Sequence, residues 1–363
     1  MMRDPSSSWA DVPGRPRVAV FRALQLGDML CAVPALRALR RGEPNARITL
    51  IGLPWAREFS SRFADYVDDF IPFPGAPGLD GHDVELDATQ GVMFRATCRV
   101  RDFDLAVQLH GSGTHSNAVV ASLGAVRTAG FAPAHGGAAA LDHAVPWRDD
   151  EPEIARHLRL MRSLGYDDWG DYLEFPLGGL DYAIWRVLCE KHDLQPGGYA
   201  VVHPGAPMSS RRWPVERFAS VARWLSDQGL QIVLTGARTE TALAQAFSSS
   251  FGLPLVDLCG RAPLGALGAL IGHARLLLCN DTFVSHVAAA LGTPSVVVAC
   301  GSDVARWAPL DRERHRVLAD YPACRPCAFE QCPYEHACAT VIGVDDVIDQ
   351  ANELLMKEAR HAS

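Results

Sequence analysis

The chain has 363 residues, 48% of them apolar and 21% charged, and a formal net charge of −8. That length allows two domains with cores of their own, and the negative balance argues against non-specific nucleic-acid binding. Only Lys191 and Lys357 among the 34 basic residues are lysines, and no uncharged apolar run reaches the ~18 residues that a membrane-spanning helix needs.

Residues 1–16 (MMRDPSSSWADVPGRP) have no apolar centre. They read as a disordered lead and not as a signal peptide, so the chain is expected in the cytoplasm. The apolar run Arg17 to Phe21 predicts a strand, which meets Gly27-Asp28 and continues into a helical pattern over Met29 to Arg40 that carries Pro34. A second strand is expected at Arg47 to Ile51. Asp102-x-Asp104 leads straight into the strand pattern Leu105 to Leu109, and reads as the polar start of that strand and not as a metal–diphosphate site. The stretch Glu174 to Gly198, with Pro176, Gly178-Gly179 and Pro196-Gly197-Gly198, is where a hinge is expected.

The pattern then repeats. A strand at Tyr199 to Val202 meets His203-Pro204-Gly205-Ala206-Pro207, followed by a helix over Val215 to Gln228 and a strand at Gln231 to Thr235. The run Leu276 to Cys279 breaks at Asn280-Asp281-Thr282, residue types whose side chains cap helices. A short helix over Val284 to Leu291 follows, stopped by Gly292 and Thr293-Pro294 before the strand Ser295 to Ala299. Such a helix N-terminus, opening at the carboxyl end of a strand, suits a phosphate or diphosphate. Short apolar strands alternating with helices predict an α/β chain of two Rossmann-like, doubly wound parallel-sheet domains facing across a cleft. The expected boundaries are 17–178 and 179–342, with a terminal helix (Val344 to Lys357) and tail in 343–363.

Six cysteines (Cys31, Cys98, Cys189, Cys259, Cys279, Cys300) are scattered, several of them in apolar runs where Cys acts as a small hydrophobe. The other four crowd into one segment, Cys324-x2-Cys327-x4-Cys332-x5-Cys338, among Pro322, Pro326 and Pro333. In a reducing compartment that spacing suggests a structural zinc or iron on one looped segment, the other reading being four unliganded thiols or a pair joined in an adventitious disulfide.

Neither half offers Gly-x-Gly-x-x-Gly after its first strand, so a dinucleotide-dependent oxidoreductase is not expected. The segment Arg22-Ala-Leu-Gln-Leu-Gly27-Asp28, running into Cys31-Ala-Val-Pro34-Ala-Leu36-Arg37-Ala-Leu39, resembles instead the N-terminal signature of glycosyltransferase family 9, the heptosyltransferases. The second half agrees in order: His203-Pro-Gly205, Arg211-Arg212-Trp213-Pro214, Thr235-Gly236 with Glu240, and Asn280-Asp281-Thr282 with Ser285-His286. Asp104 to Gly111 and Arg306-Trp-Ala-Pro309 are similar to family segments too, so the resemblance covers about residues 17 to 345.

The resemblance implies the GT-B fold, with an N-terminal acceptor domain and a C-terminal nucleotide-sugar domain. It implies inverting transfer of heptose from an ADP-activated donor to the lipopolysaccharide core, or another glycan, lipid-linked or protein acceptor, at the inner face of the membrane. No divalent metal or other cofactor takes part in that transfer, and membrane contact is peripheral at most. Asp28 matches the family's catalytic base; the other reading is a cap at the start of the helix that follows. His203, Gly205, Gly236, Asp281 and Thr282 fall at donor-binding positions. Arg211 or Arg212 would meet the leaving diphosphate, unless the pair merely opens a solvated helix. Glu240 would accept ribose hydroxyls, or else favour a helix N-terminus. His286 reads as a supporting or core histidine. Phe283 stands where the family has Gly, which puts the donor's identity in question and leaves two readings, a lid on the sugar or a core side chain. Similar cysteine clusters occur in part of the family, and in the autotransporter heptosyltransferases a four-Cys site holds iron. A degenerate, non-catalytic pair of domains that only binds nucleotide-sugar or metal is the competing reading; Asp28 together with a basic residue at 211–212 argues against it.

Overall fold

The computed structural model describes residues 15–79, 88–133 and 139–361. The chain divides into two compact units, Met1–Asp171 and Tyr172–Ser363. The lead expected over 1–16 lies outside the described residues up to residue 14. Arg15 is tied down, its Nε donating to the Asn45 carbonyl at 3.0 Å and its Nη2 lying 3.3 Å from Asp68.

In the first unit β1 (Arg17–Phe21) runs into a short helix α1 (Leu26–Leu30), and α2 (Val33–Gly42) follows after a break. The single helix expected over 29–40 is therefore two, and Pro34 supplies the reason. Inside a continuous helix its ring would meet the carbonyl four residues back, and it has no N–H to give. In the first turn of α2 it costs nothing, because N–H groups there have no helical partner. The unit continues through β2 (Arg47–Gly52), α3 (Ala56–Arg62), β3 (Asp69–Pro72), α4 (Ala88–Arg99), β4 (Leu105–Gln108), α5 (Ser116–Ser122), β5 (Arg127–Ala132), β6 (His143–Pro146) and α6 (Glu153–Ser163). Its sheet has the order β3-β2-β1-β4-β5-β6, with every pairing parallel. Asp104 accepts from the Arg17 backbone N–H at 2.9 Å and Asp102 lies 3.6 Å from the Arg17 guanidinium, so the two carboxylates tie together the starts of β1 and β4.

The second unit repeats the plan. It contains α7 (Gly179–His192), β7 (Tyr199–His203), α8 (Val215–Asp227), β8 (Gln231–Leu234), α9 (Thr241–Phe251), β9 (Val256–Asp257) and α10 (Leu264–Gly272). Then come β10 (Leu276–Asn280), α11 (Phe283–Leu291), β11 (Ser295–Val298), α12 (Val304–Trp307), β12 (His315–Leu318), α13 (Ala337–Thr340) and α14 (Val344–His361). The sheet order is β12-β11-β10-β7-β8-β9, again all parallel. Read from the β9 edge, this is the order of the first unit. β7 and β10 are buried along their whole length, as strands covered on both faces must be. Trp213, Phe218 and Phe247 fill the core on one face, joined by Val347, Ala351 and Leu354 of α14. Gly292 ends α11 at φ 73°, the left-handed turn that glycine allows. Among the described residues no helix is long and apolar enough to cross a membrane.

His315 opens β12 in a buried position, its Nδ1 2.8 Å from Ser295 Oγ on β11. Burial holds its pKa down to about 4, whereas an imidazole in the unfolded chain titrates at about 6.5. As pH falls the unfolded chain takes up the proton first, so stability present above pH ~6.5 is lost on the way to pH ~4. Thermal midpoints measured from pH 7.5 to 4 are expected to fall less steeply for His315→Gln than for the unmodified chain. Parallel curves would show that His315 carries none of the acid sensitivity.

Candidate functional site

In each unit the connections of the two central strands leave in opposite directions, which opens a crevice beyond their carboxyl ends. In the first unit the loop after β1 delivers Asp28 to that place. Asp28 is the third residue of α1 and half-buried, and its Oδ2 accepts from the backbone N–H of Gln25, the residue that caps α1, at 3.1 Å. The capping role is thus real, though it serves α1 and not a helix beginning after it. A carboxylate has four lone-pair sites, so a cap bond to one oxygen does not by itself preclude accepting a proton.

Beneath this loop lies a polar cluster that the sequence does not announce. The Arg22 side chain is wholly buried. Its Nε donates to the Asp28 carbonyl at 2.9 Å and its Nη1 to the Leu109 carbonyl, while Nη2 reaches Glu153 at 3.2 Å. Nη1 also lies 3.0 Å from His157 Nε2. A guanidinium only donates, so His157 offers a lone pair at Nε2, and its Nδ1–H faces the Cys31 carbonyl at 3.2 Å. Burial pushes the His157 pKa down, in keeping with a neutral ring. Glu153 is shared with Arg156, equally buried, whose Nη2 donates to the carbonyls of Arg148 and Glu151 at 2.6 and 2.9 Å. The loop after β1, the end of β4 and the first turn of α6 therefore hang on one charge cluster. Its only trace in the sequence is an arginine closing an apolar strand; the glutamate that answers it stands 131 positions away.

In the second unit the loops after β7, β8 and β10 converge. His203 is buried, with Nδ1 3.0 Å from Thr235 Oγ1, and burial holds its pKa to about 4 against the upward pull of Glu240. A Cβ on Gly205 would overlap the Glu240 carboxylate, and one on Gly236 would come within 2.9 Å of Cys259 Sγ. Both glycines are needed for close approach. Glu240 Oε2 accepts from the Ala237 N–H at 2.8 Å, the helix-opening role, while Oε1 lies 4.0 Å from the Arg212 guanidinium. Arg212 Nε donates to the Ala206 carbonyl at 2.8 Å. Arg211 goes elsewhere, donating to the Cys327 carbonyl at 3.3 Å. The two arginines, interchangeable in the sequence, are separated by the fold: Arg212 joins His203, Gly205, Gly236 and Glu240.

The start of α11 departs from expectation. Asn280 does not cap it. Asn280 is wholly buried, accepting from the Trp213 N–H at 2.9 Å and donating to the Pro204 carbonyl at 2.7 Å, and so ties the loop after β7 to the end of β10. Asp281, half-buried, receives no cap bond either; its own N–H goes to the Val298 carbonyl at 3.2 Å. Thr282 holds the cap position in extended conformation, yet its hydroxyl makes no cap bond, and Oγ1 is buried without a partner among the described residues. That orphan hydroxyl sits beside first-turn N–H groups that have no helical acceptor, an arrangement suited to phosphate oxygens. Phe283 leans onto the His203 ring edge-to-face at 5.8 Å, which is how a helix with a side chain at this position still opens normally. His286 is buried on α11, and burial pushes its pKa down, against the pull of Asp281.

The cysteine segment folds against the same loops. Ser209 Oγ and Ser210 N–H donate to the Glu330 carbonyl at 2.8 and 3.1 Å, and Ser210 Oγ donates to that of Phe329. Cys327 N–H donates to the Gly301 carbonyl at 2.6 Å, and Arg325 Nε to that of Ser302 at 2.7 Å. Cys327 and Cys338 are buried, Cys324 and Cys332 half-buried. Burial pushes the Cys338 thiol up. Among the described residues no group of three or more His, Cys, Asp or Glu side chains is placed to hold a metal ion, although Cys332, Cys324 and Cys327 all stand near enough to Cys338 to act on its thiol. The proline-rich segment spends its backbone on bracing residues 209–211 and 301–302.

A family model described as glycosyltransferase family 9 (heptosyltransferase) matches residues 93–338. Lipopolysaccharide heptosyltransferase 3 of Escherichia coli K12 is 24% identical over 368 residues, covering 93% of this chain and 97% of that protein. The crystal structure of a glycosyl transferase family 9 protein from Veillonella parvula aligns with TM-score 0.77 at 20% identity, over 94% of this chain and 98% of that one. The E. coli ADP-heptose lps heptosyltransferase II aligns with TM-score 0.71 at 20% identity, over 95% and 99% of the two chains. The two parallel six-stranded sheets are those of the GT-B fold.

Glu153→Gln would leave the guanidinium groups of Arg22 and Arg156 buried without their counter-charge. Breaking a buried pair from one side typically costs ~3–5 kcal/mol. Urea unfolding of the variant is expected to show a loss in that range. A loss below about 1 kcal/mol would mean that the cluster carries little of the loop's stability.

Proposed function

The chain belongs to glycosyltransferase family 9, the heptosyltransferase family, and we propose that it moves heptose from an ADP-activated donor, with inversion, to a lipopolysaccharide-core acceptor on the cytoplasmic side of the membrane. In this reading the second unit holds the donor and the first unit the acceptor. The observation that carries it is the set of groups gathered at the carboxyl end of β7 and β10: Arg212 beside Glu240 and Gly205, and the partnerless Thr282 hydroxyl at the mouth of α11. A nucleoside diphosphate has the matching chemistry. Its phosphate oxygens would take the hydroxyl, the free N–H groups of α11 and the Arg212 charge, and its ribose hydroxyls would find Glu240.

The reaction follows from those placements. Asp28 takes the proton from the acceptor hydroxyl as that oxygen attacks the anomeric carbon, and the diphosphate departs from the opposite face. Negative charge builds on the departing phosphate, where a fixed cation and helix N–H groups lower the barrier most. Arg22 supports this by holding the Asp28 carbonyl, so the base is carried on a loop whose backbone is already fixed. No divalent cation enters this scheme, because Arg212 and α11 meet the charge.

Asp28→Asn is expected to leave ADP affinity unchanged and to cut turnover by about 10²–10⁴, the range for losing a positioned general base. Turnover within a factor of about three of the unmodified enzyme would leave Asp28 as a cap alone. The arginines should separate in calorimetry with ADP. Arg212→Ala is expected to weaken binding by about tenfold or more, as loss of a charge-assisted contact does, and Arg211→Ala by much less. Equal effects would overturn the placement of Arg212 at the diphosphate.

A further inference from the structure

We propose that α4 of the first unit lies flat in the surface of an anionic lipid bilayer and anchors this unit there. The helix has 12 residues, and it is held to its own unit by a narrow stripe, Phe94 and Cys98, spaced by one turn and both buried. Around a 3.6-residue helix, Val92, Ala96 and Val100 share the opposite face with Met93 beside them. Val100 continues the helical turn, its N–H donating to the Ala96 carbonyl at 3.2 Å. These side chains face solvent: Val92 is 57% exposed, Met93 64% and Val100 75%. Arg95 and Arg99, both exposed, flank the stripe on one side. The stem of Arg99 lies against Gly124, which brings the turn carrying Val126, 71% exposed, alongside the end of α4.

Among the described residues of the unit nothing covers this apolar stripe, and a stripe turned away from the core is free to meet a partner outside it. Charge selects which partner. Residues 88–101 contain three arginines and no carboxylate, in a chain of net charge −8. Of the three, Arg101 is answered within the unit by Asp69 at 3.5 Å. A second copy meeting this face with its own face would bring four arginines (Arg95 and Arg99 twice) together. An anionic lipid surface instead offers phosphate to the arginines and acyl chains to the stripe. At ~1.5 Å per residue the helix is about 18 Å long, too short to span a bilayer and ample for lying in its surface. This surface is separate from the groups assigned to transfer, and the inference stands or falls without them.

The test is co-sedimentation of the full chain with vesicles of phosphatidylcholine alone or mixed with phosphatidylglycerol. The protein is expected to pellet with the mixed vesicles, less so as salt is raised. Arg95→Gln with Arg99→Gln should lower vesicle affinity about fivefold per arginine. Val92→Ser with Met93→Ser should abolish pelleting while leaving the thermal midpoint unchanged, since both positions are exposed. In Met93→Trp the indole emission should shift to the blue on mixing with anionic vesicles. Protein that stays in the supernatant, or variants that pellet like the unmodified chain, would overturn the proposal. So would a dimer in analytical ultracentrifugation that Val92→Ser with Met93→Ser dissolves in the absence of any vesicle binding, which would assign the stripe to a second copy.

Discussion

Backbone polar groups that leave the end of a parallel sheet have no ladder to join, and in a buried crevice they cannot rely on water. Each half of this protein meets that constraint with one buried polar side chain. In the second unit Asn280 does it with a single amide, one end accepting from Trp213 and the other donating to Pro204. In the first, Arg22 spans the carbonyls of Asp28 and Leu109. The loops that these side chains fix are the ones that carry the proposed chemistry, and their rigidity comes from beneath.

The two solutions differ in cost. An amide is neutral, and both its oxygen and its nitrogen have a partner here. A guanidinium must be desolvated, and Arg22 shares Glu153 with a second buried guanidinium, so three charges stand where hydrocarbon would be cheaper. What the cluster provides is geometry. A fork with five donors can hold two carbonyls, a carboxylate and an imidazole at fixed angles, which no apolar side chain can. The neutral His157 extends that frame to the Cys31 carbonyl, at the break between α1 and α2 that Pro34 imposes.

Around α11 the chain leaves groups unfilled in place of satisfying them. The Thr282 hydroxyl could cap its own helix and does not. Phe283 packs edge-to-face on the His203 ring at the head of α11. The cysteine segment contributes from behind, its carbonyls holding Ser209, Ser210 and Arg211 and leaving Arg212 to face Glu240. A proline-rich loop can do this because its own backbone has few N–H donors to satisfy and many carbonyls to offer.

Local chemistry was legible in the sequence. The strands near residues 17, 47, 199, 231, 276 and 295, the Gly292 stop and the doubled α/β plan follow from apolar periodicity and turn residues, which act over a few positions and leave their mark there. Asp28, Gly205, Glu240 and Thr282 are singled out by the resemblance to the family's ordered motifs, which periodicity and turn residues alone do not supply. What the sequence could not state were pairings across distance. Arg22 with Glu153, Asn280 with Trp213 and Pro204, Arg211 with Cys327, and Phe283 with His203 each join segments far apart in the chain, and for Asn280 the long-range partners replaced a local reading as a helix cap. The spacing of four cysteines likewise says how near their sulfurs could come, but the packing of their loop against residues 209–211 and 301–302 is a long-range matter that the spacing does not state. Backbone propensity is a property of neighbours in sequence. The partner of a buried polar group is set by which loops the sheet order brings to the same end, and that order exists only in the folded chain.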